Sequence, residues 1–527
     1  MYRFLILPLI AAAMASCTGV DSLQKKILLD GPIRVRENKF TDIHGREVIF
    51  HGINLVNKNP AVGYAGGDDE ATIRRLAGSG FNCIRLGIFW DAIEPQPGVY
   101  NEAYLDTVAK RIDWACESGI YVLLDMHQDL YARKYSDGAP DWATLDEDLP
   151  HYTGPVWSDS YLISPAVQRA FDHFWDNSPA SDGVGLQDHY AEVWRRVAER
   201  FSGIPCVLGY DLMNEPFPGS EAAQFFPMMI QSYAANMYEE GHTDLPSPGE
   251  LAEIWGSEEG RVEVMKNLES AGRFAAVIDA IYEPNSRFER EKLQPFYQKV
   301  ALSIRTVDTA SILFLEHSYF CNSGVRSAIS GLYLPDGSAD TQVAYAPHGY
   351  DPLTDTKGLG VQRSERIEFI FSRIAETARD LGMPVIVGEW GALGGTDPAH
   401  IATATTILNQ FGRHGFGHTY WAWYRGVEQE PYFQHALIRP WPVAINGASS
   451  TWNHADRSME CSWSENPEIQ APALFFIPAS FELVPEKIRI SPEGSQYALM
   501  HHAGSQATVL VVYPSGKAPR RELFISF

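Results

Sequence analysis

Apolar and β-branched residues gather along the chain into short runs: VIFHGIN at 48–54, FNCIRLGIFW at 81–90, IYVLLDMH at 120–127, CVLGYDLMN at 206–214, SILFLEH at 311–317, QVAYAPHG at 342–349, PVIVGEWG at 384–391 and FGHTYWAWY at 416–424. Each run has the length and composition of a buried strand. Between them, EATIRRLAGSG (70–80), YLDTVAKRIDWACESG (104–119), DHYAEVWRRVAERFSG (188–203) and SERIEFIFSRIAETARDLG (364–382) repeat apolar residues at helical spacing and end in glycine. That is the pattern of amphipathic helices with left-handed caps. Eight strands alternating with helices predict an α/β fold, a (β/α)8 TIM barrel over residues 21–431.

The spacing is uneven. Residues 129–187 follow the third strand and 221–290 the fourth, too long for ordinary connections, so both read as insertions. Both leave from strand C-terminal ends, the face on which barrel enzymes build their sites, and are expected to wall a cleft. From 432 to 527 helical periodicity disappears, and β-branched runs such as ATVLVVYP (507–514) between Pro-rich connections predict a small C-terminal β-sandwich. Residues 1–20, MYRFLILPLIAAAMASCTGV, carry one positive charge, an apolar run and then small residues, which predicts a secretory signal. Ala13-Met14-Ala15 fits simple secretion, whereas Met14-Ala15-Ser16-Cys17 fits a lipoprotein signal. The second is favoured because Cys17 stands where lipidation would need it. The expected location is outside the cytoplasm, secreted or tethered to the bacterial envelope through a lipidated Cys17.

Composition narrows the partners. The 527 residues are 45% hydrophobic and 12% aromatic, which excludes a disordered chain and a disulfide-stapled miniprotein. With 42 Lys+Arg against 66 Asp+Glu the net charge is −24, so nucleic acid is excluded as a partner and neutral substrates are favoured. Beyond Cys17 the cysteines are Cys83, Cys116, Cys206, Cys321 and Cys461, an odd number with no zinc spacing. Cys83, Cys116 and Cys206 are expected as small buried hydrophobes; disulfides are permitted outside the cytoplasm but not demanded. No Walker loop, no G-x-G-x-x-G at a first βα turn and no G-x-S-x-G elbow occurs in the barrel, which argues against nucleotide and lipase chemistry.

Two carboxylates stand where the predicted strands leave the barrel: Glu215 in GYDLMNEPFPG and Glu389 in PVIVGEWGA. The barrel would aim both into one pocket, and two carboxylates flanking a glycosidic bond are the minimum equipment for glycoside hydrolysis. Asp125, Asp211 and Glu316 are rival acids near strand ends. Asp125 shares a strand face with His127 by alternation, Asp211 lies too far before the end of its predicted strand, and ion pairing in the core is the expected fate of all three. His127 and His348, at strand ends beside the glutamates, read as hydrogen-bond partners rather than metal ligands, because no carboxylate or cysteine spacing completes a metal set.

Asn214-Glu215-Pro216 and Glu389 in GEWG resemble the retaining glycoside hydrolases of clan A, family 5. Arg85 in NCIRLG, His127 in LDMH, His348 and Tyr350 in PHGYD and Trp421 in YWAW match that family's remaining positions in chain order. Within the family, DMHQDLYARKY (125–135), GAPDWAT (138–144) and PAVQRAFDHFW (165–175) resemble the endoglycoceramidase branch, whose architecture is also a barrel followed by a β-sandwich. The 221–290 insertion has no match in the branch. The resemblance implies hydrolysis between glycan and ceramide with no cofactor and no metal. It also implies that Lys58, Asp129 and Trp157 contact the glycan, Trp421 floors the sugar ring and Asn214 bonds its 2-hydroxyl. Glu389, ionised beside Arg85 and Tyr350, is then the nucleophile, and Glu215, kept protonated by the charge on Glu389, is the acid and afterwards the base.

Asp141 and Trp142 are expected to shape the loop after the third strand, and Tyr319 and Phe320 to wall the lipid. Two other readings stand beside this one: an endo-β-glucanase or β-glucosidase acting on polysaccharide, oligosaccharide or steryl glucoside, and a non-catalytic carbohydrate-binding surface lipoprotein.

Overall fold

The eight predicted strands form one parallel sheet: β1 (His51–Leu55), β2 (Cys83–Ile88), β3 (Tyr121–Met126), β4 (Val207–Asp211), β5 (Ile312–Leu315), β6 (Val343–Tyr345), β7 (Ile386–Val387) and β8 (Gly417–Tyr420). β8 pairs with β1, and a bridge from Tyr345 to Val385 joins β6 to the chain entering β7, which closes the barrel. This computed structural model describes residues 31–527 except 240, 242–245, 357, 359–363, 456, 503–504 and 517–518. The expected signal segment and Cys17 therefore lie outside the described residues.

Alternation along the strands explains how the barrel interior changes from bottom to top. Cys83, Leu123, Ile312, Phe314, Ala344 and Ile386 join Phe40 and Phe50 in an apolar plug at the N-terminal end. Two residues further along the same inward rows come Arg85, Asp125, Glu316 and, after Ala346, His348. The outward rows, including Ile84, Leu86, Val122, Leu124, Leu313 and Leu315, pack against the surrounding helices. Those helices start where the sequence offers caps: Asp69 accepts from the Thr72 amide before Glu70–Gly78, and Asn101 accepts from the Tyr104 amide before Glu102–Glu117.

The C-terminal residues form two antiparallel sheets around a core that includes Trp441, Trp463, Phe475 and Leu510. The sequence assigned everything from 21 to 431 to the barrel. The structure corrects this for the N-terminal end: Arg34–Arg36, Lys39–Thr41 and Glu47–Val48 extend the larger sandwich sheet, with Ala444 and Ile445 paired to Val48 and Glu47. Strands this short leave no run long enough to read. Cys116 and Cys206 are also corrected, because they form a disulfide with Cα atoms 5.5 Å apart, tying the helix after β2 to the start of β4. Their 90-residue separation carries no spacing signature. Cys83, Cys321 and Cys461 are free and buried.

The excursion after β3 includes the helix Pro165–Trp175, and the one after β4 carries the helices Phe225–Glu239, Pro248–Trp255, Glu258–Asn267 and Ala271–Ile278. Pro248–Trp255 opens with a capping box in which Ser247 and Glu250 bond each other's backbone amides. The two excursions meet where Arg261 bonds both oxygens of Asp159 at 2.9 and 2.8 Å. No helix among the described residues is long and apolar enough to cross a membrane.

Candidate active site

Arg85 stands at the centre of the barrel mouth, fully buried, and every donor of its guanidinium is used. Nε bonds Asp211 at 2.8 Å; Nη1 bonds Glu389 at 2.8 Å and Asn54 at 3.1 Å; Nη2 bonds Asn214 and Glu316, each at 2.8 Å, and lies 2.9 Å from Asp125. A rigid planar fork is suited to holding several groups at fixed angles. Asp125, Asp211 and Glu316 are thus ion-paired beneath the site, as their core position implied. Asp211 is the last residue of β4, because the strand ends three residues before the sequence placed its end.

Glu389 follows β7 in a two-residue strand whose partner is His348–Gly349. Its Oε2 accepts from the Tyr350 hydroxyl at 3.0 Å. Gly391 fixes the exit, since its φ is +102° and a Cβ there would meet the Tyr420 ring at 2.4 Å. Glu215 faces Glu389, with ligand-type oxygens of the two carboxylates and a ring nitrogen of His348 all within 4.8 Å of one another. Glu215 itself has φ +44°, a left-handed conformation that strains a residue preceding proline. Its amide is held by Glu316 Oε2 at 2.8 Å, and its Oε1 accepts from Asn322 Nδ2 at 2.7 Å and bonds His348 Nδ1 at 2.9 Å.

His348 is buried, which works against its charge, but Glu316, Glu389 and Glu215 outweigh burial and hold its pKa well above the ordinary value. It is an imidazolium. Burial pushes Glu389 up to about 8, with His348 and Arg85 opposing and Glu215 and Glu316 reinforcing the push. Arg85, bonded to Glu389 Oε1, favours the charge at that residue. His127 is the opposite of His348: burial, then the charge of Lys58, lowers its pKa well below the ordinary value. The neutral ring bonds Asp125 through Nδ1 at 2.8 Å and leaves buried Nε2 without a protein partner.

A second charged group borders the first. Lys58 bonds Asp129, lies 3.7 Å from Asp137, and holds its ammonium 4.9 Å from the Trp421 ring and 5.8 Å from that of Trp157. Burial disfavours the Lys58 charge, but Asp129 and Asp137 outweigh it and raise its pKa. Trp421 stacks on His127 with ring centres 5.2 Å apart, and Trp157 Nε1 bonds Asp355 at 3.0 Å. Among the described residues three clusters bring metal-ligand atoms within 4.8 Å: His127–Asp129–Asp137, Glu215–His348–Glu389 and Asp125–Asp211–Glu316. Each already neighbours a protein cation, Lys58 beside the first and Arg85 beside the other two.

All eleven residues singled out by sequence therefore gather at one mouth: Lys58, Arg85, His127, Asp129, Trp157, Asn214, Glu215, His348, Tyr350, Glu389 and Trp421. Asn54, Asp137, Asn322 and Asp355 were missed. Alternation one position from the strand end marks Asn54; the others sit on irregular loops with no periodic signal. Trp142, with Nε1 on the Glu94 carbonyl at 3.0 Å, and Asp141, paired to Arg133, shape the loop as expected.

From the carboxylates a cavity of about 390 Å³ extends under the insertion helices. Its near end is lined by Lys58, Asp129, Glu215, Tyr350, Glu389 and Trp421, and its far end by Met229, Leu251, Trp255, Val264, Phe274 and Ile278, with Tyr319 and Phe320 between.

A closed (β/α)8 barrel with two facing glutamates at the ends of its fourth and seventh strands defines a glycoside hydrolase scaffold. The model for the cellulase family, glycosyl hydrolase family 5, matches residues 41–240 and 273–426, more than half of the chain, and the chain belongs to that family. An endoglycoceramidase of Cyanea nozakii is 34% identical over 210 residues, 34% of this chain and 41% of the relative. Endoglycoceramidase I of Rhodococcus hoagii is 36% identical over 188 residues, 35% and 37% of the two chains. The matched stretches thus span well under two thirds of these relatives. The endo-glycoceramidase II of a Rhodococcus species in complex with ganglioside GM3 superposes with a TM-score of 0.71 at 26% identity, covering 93% of this chain and 99% of the other. The same protein as a lactosyl-enzyme intermediate gives 0.69 at 26% identity with the same coverage.

Proposed function

We propose that the protein hydrolyses glycolipids between glycan and ceramide, with retention at the anomeric carbon. The observation that carries this is a single cavity with two chemistries, charged and aromatic beside Glu215 and Glu389, apolar under the insertion helices. A sugar–lipid conjugate satisfies both ends. A polysaccharide would leave the apolar end uncovered by anything of its own polarity, which disfavours a glucanase. The endoglycoceramidase relatives, and the neighbour bound to ganglioside GM3, support the same substrate class.

In this reading ionised Glu389, held by Arg85 and Tyr350, attacks the anomeric carbon while Glu215 gives its proton to the ceramide oxygen. The closeness of the two carboxylates leaves no room for a water between nucleophile and sugar, which suits the retaining route. Once the ester to Glu389 forms, that charge is gone, and Glu215 takes a proton from the incoming water. Lys58 and Asp129 bond sugar hydroxyls, His127 Nε2 accepts from another, Asn214 meets the 2-hydroxyl, and Trp421 and Trp157 give apolar faces to the rings.

We also infer export, with tethering at Cys17. The Cys116–Cys206 bond supports an oxidising compartment, and a tether would keep the cavity near lipid-borne substrate. Incubation of the protein with GM3, lactosylceramide, glucosylceramide, a steryl glucoside and cellotetraose, followed by product identification, tests the activity. Free intact glycan and ceramide are expected. Cleavage confined to cellotetraose would overturn the proposal, and release of single sugars would replace it with an exo-glycosidase.

A further inference from the structure

Asn322 lies on the short 3-10 turn Tyr319–Ser323 just after β5, outside every motif that the sequence offered, and is almost fully buried. Its amide is oriented from behind. Oδ1 bonds His317 Nε2 at 3.0 Å, and His317 Nδ1 bonds the Tyr345 hydroxyl at 2.6 Å. Burial lowers the His317 pKa to about 3, so the ring is neutral and carries one N–H. If that hydrogen is on Nε2 it is donated to Asn322 Oδ1, Nδ1 accepts from Tyr345, and Asn322 Nδ2 is left to point at Glu215 Oε1, 2.7 Å away.

The consequence lies on the other oxygen. Glu215 Oε1 receives Asn322 Nδ2 and the N–H of the His348 imidazolium, so an acid proton on that atom would collide with two donors. Oε2 has no hydrogen-bond partner among the described residues, and Glu215 lines the cavity. Resting on the hydrolytic reading above, we propose that Asn322, backed by His317 and Tyr345, is a positioning residue that confines the acid proton of Glu215 to Oε2, where the leaving oxygen of the substrate is met.

The arrangement acts on protonation of the leaving group and not on nucleophilic attack. Asn322 makes no hydrogen bond to Glu389; Arg85 and Tyr350 hold that residue. Loss of Asn322 lets the Glu215 carboxyl rotate and share its proton between two oxygens, one of them turned away from the bond being broken. Substrates whose leaving group needs a proton suffer, and those that leave unaided do not.

The test compares kcat/KM, which reads the first bond-breaking step, for phenyl β-lactoside, 2,4-dinitrophenyl β-lactoside and lactosylceramide. Asn322→Ala is expected to lose at least about tenfold on phenyl lactoside and on lactosylceramide, a fraction of the whole general-acid contribution, and less than about twofold on the dinitrophenyl compound. Tyr345→Phe removes only the hydroxyl behind His317 and is expected to give the same selectivity at smaller size, which keeps the test decisive if the alanine variant fails to fold. A parallel loss on both aryl lactosides, or no loss on either, overturns the proposal. Wild-type protein that cleaves aryl lactosides but not lactosylceramide overturns the lipid reading alone; wild-type protein that cleaves neither overturns both.

Discussion

Val264 lies on the insertion helix Glu258–Asn267, half-buried, with its side chain against the apolar end of the cavity. Replacing it with tryptophan places an indole where lipid would lie, while the catalytic carboxylates keep all of their partners. The larger side chain displaces about three methylenes of an alkyl chain, and at about 0.8 kcal/mol per buried CH2 this is about 2.4 kcal/mol of lost binding. Spent on kcat/KM, that is about 60-fold. The assay is the ratio of kcat/KM for lactosylceramide to that for 4-nitrophenyl β-lactoside, which shares the glycan and lacks the lipid. Val264→Trp is expected to lower the ratio about 60-fold by weakening only the lipid substrate, and a thermal melt checks that overpacking, worth about 1–3 kcal/mol, has not unfolded the helix. Equal loss on both substrates, or an unchanged ratio in a folded variant, would refute the assignment of the apolar end to lipid.

The glutamates separate by leaving group: Glu215→Gln is expected to lose at least about 100-fold on lactosylceramide but retain attack on 2,4-dinitrophenyl β-lactoside, whereas Glu389→Gln loses turnover of both, read by initial rates. Cys116 and Cys206 close a loop of 90-residue separation, for which chain entropy gives about 4.6 kcal/mol, so Cys116→Ala and reductant-treated wild type should both melt well below the oxidised protein. Stability should fall between pH 6.5 and 8. Burial raises Asp137 and Glu316 each to about 8, so the native state there holds protons that the unfolded state has released, while His348, also raised, loses its advantage in the same direction. The lowered histidines His51, His127, His317, His418 and His454 act only below that window, where the unfolded state is protonated. Urea midpoints that rise from pH 6.5 to 8 would contradict this balance.

What was readable in the sequence follows from where periodicity operates. The barrel strands announce themselves because both faces are buried, and a residue such as Arg85 or His348 stands out at the polar end of an apolar run. Trp421, Tyr350 and Glu389 follow for the same reason, being within a few residues of a strand end. Asn322 and Asp137 have no such frame. They reach the site through an irregular turn and a loop whose path depends on contacts far away in the chain, such as Asp137 against Lys58. The Cys116–Cys206 bond was hidden likewise, since a helix end and a strand start become neighbours only when the barrel closes. The strands within 34–48 were invisible because two or three residues contain no alternation to count, and the one that joins them to the sandwich sheet, Glu47–Val48, finds its partner nearly four hundred residues later.

The match to the family model breaks between residues 240 and 273, and that gap holds the helices Pro248–Trp255 and Glu258–Asn267. Arg85, Glu215, Glu389 and their partners, in contrast, all fall within the matched residues. The residues around the two carboxylates are thus carried by the barrel, whereas part of the apolar end of the cavity, Leu251, Trp255 and Val264, comes from chain that the family model does not describe. Arg261 makes the join: its side chain, on the second of these helices, bonds Asp159 in the excursion after β3 and the Trp255 carbonyl at 2.7 Å. A buried charge pair whose partners come from separate excursions is costly to break from one side, because the remaining charge loses its counterion. The pair therefore fixes how far the insertion stands from the barrel mouth, and with it the width of the apolar chamber. In the proposed reading, lipid selectivity is then a choice of insertion on a barrel floor that carries the hydrolytic residues, which Val264→Trp probes from one side and Glu215→Gln from the other.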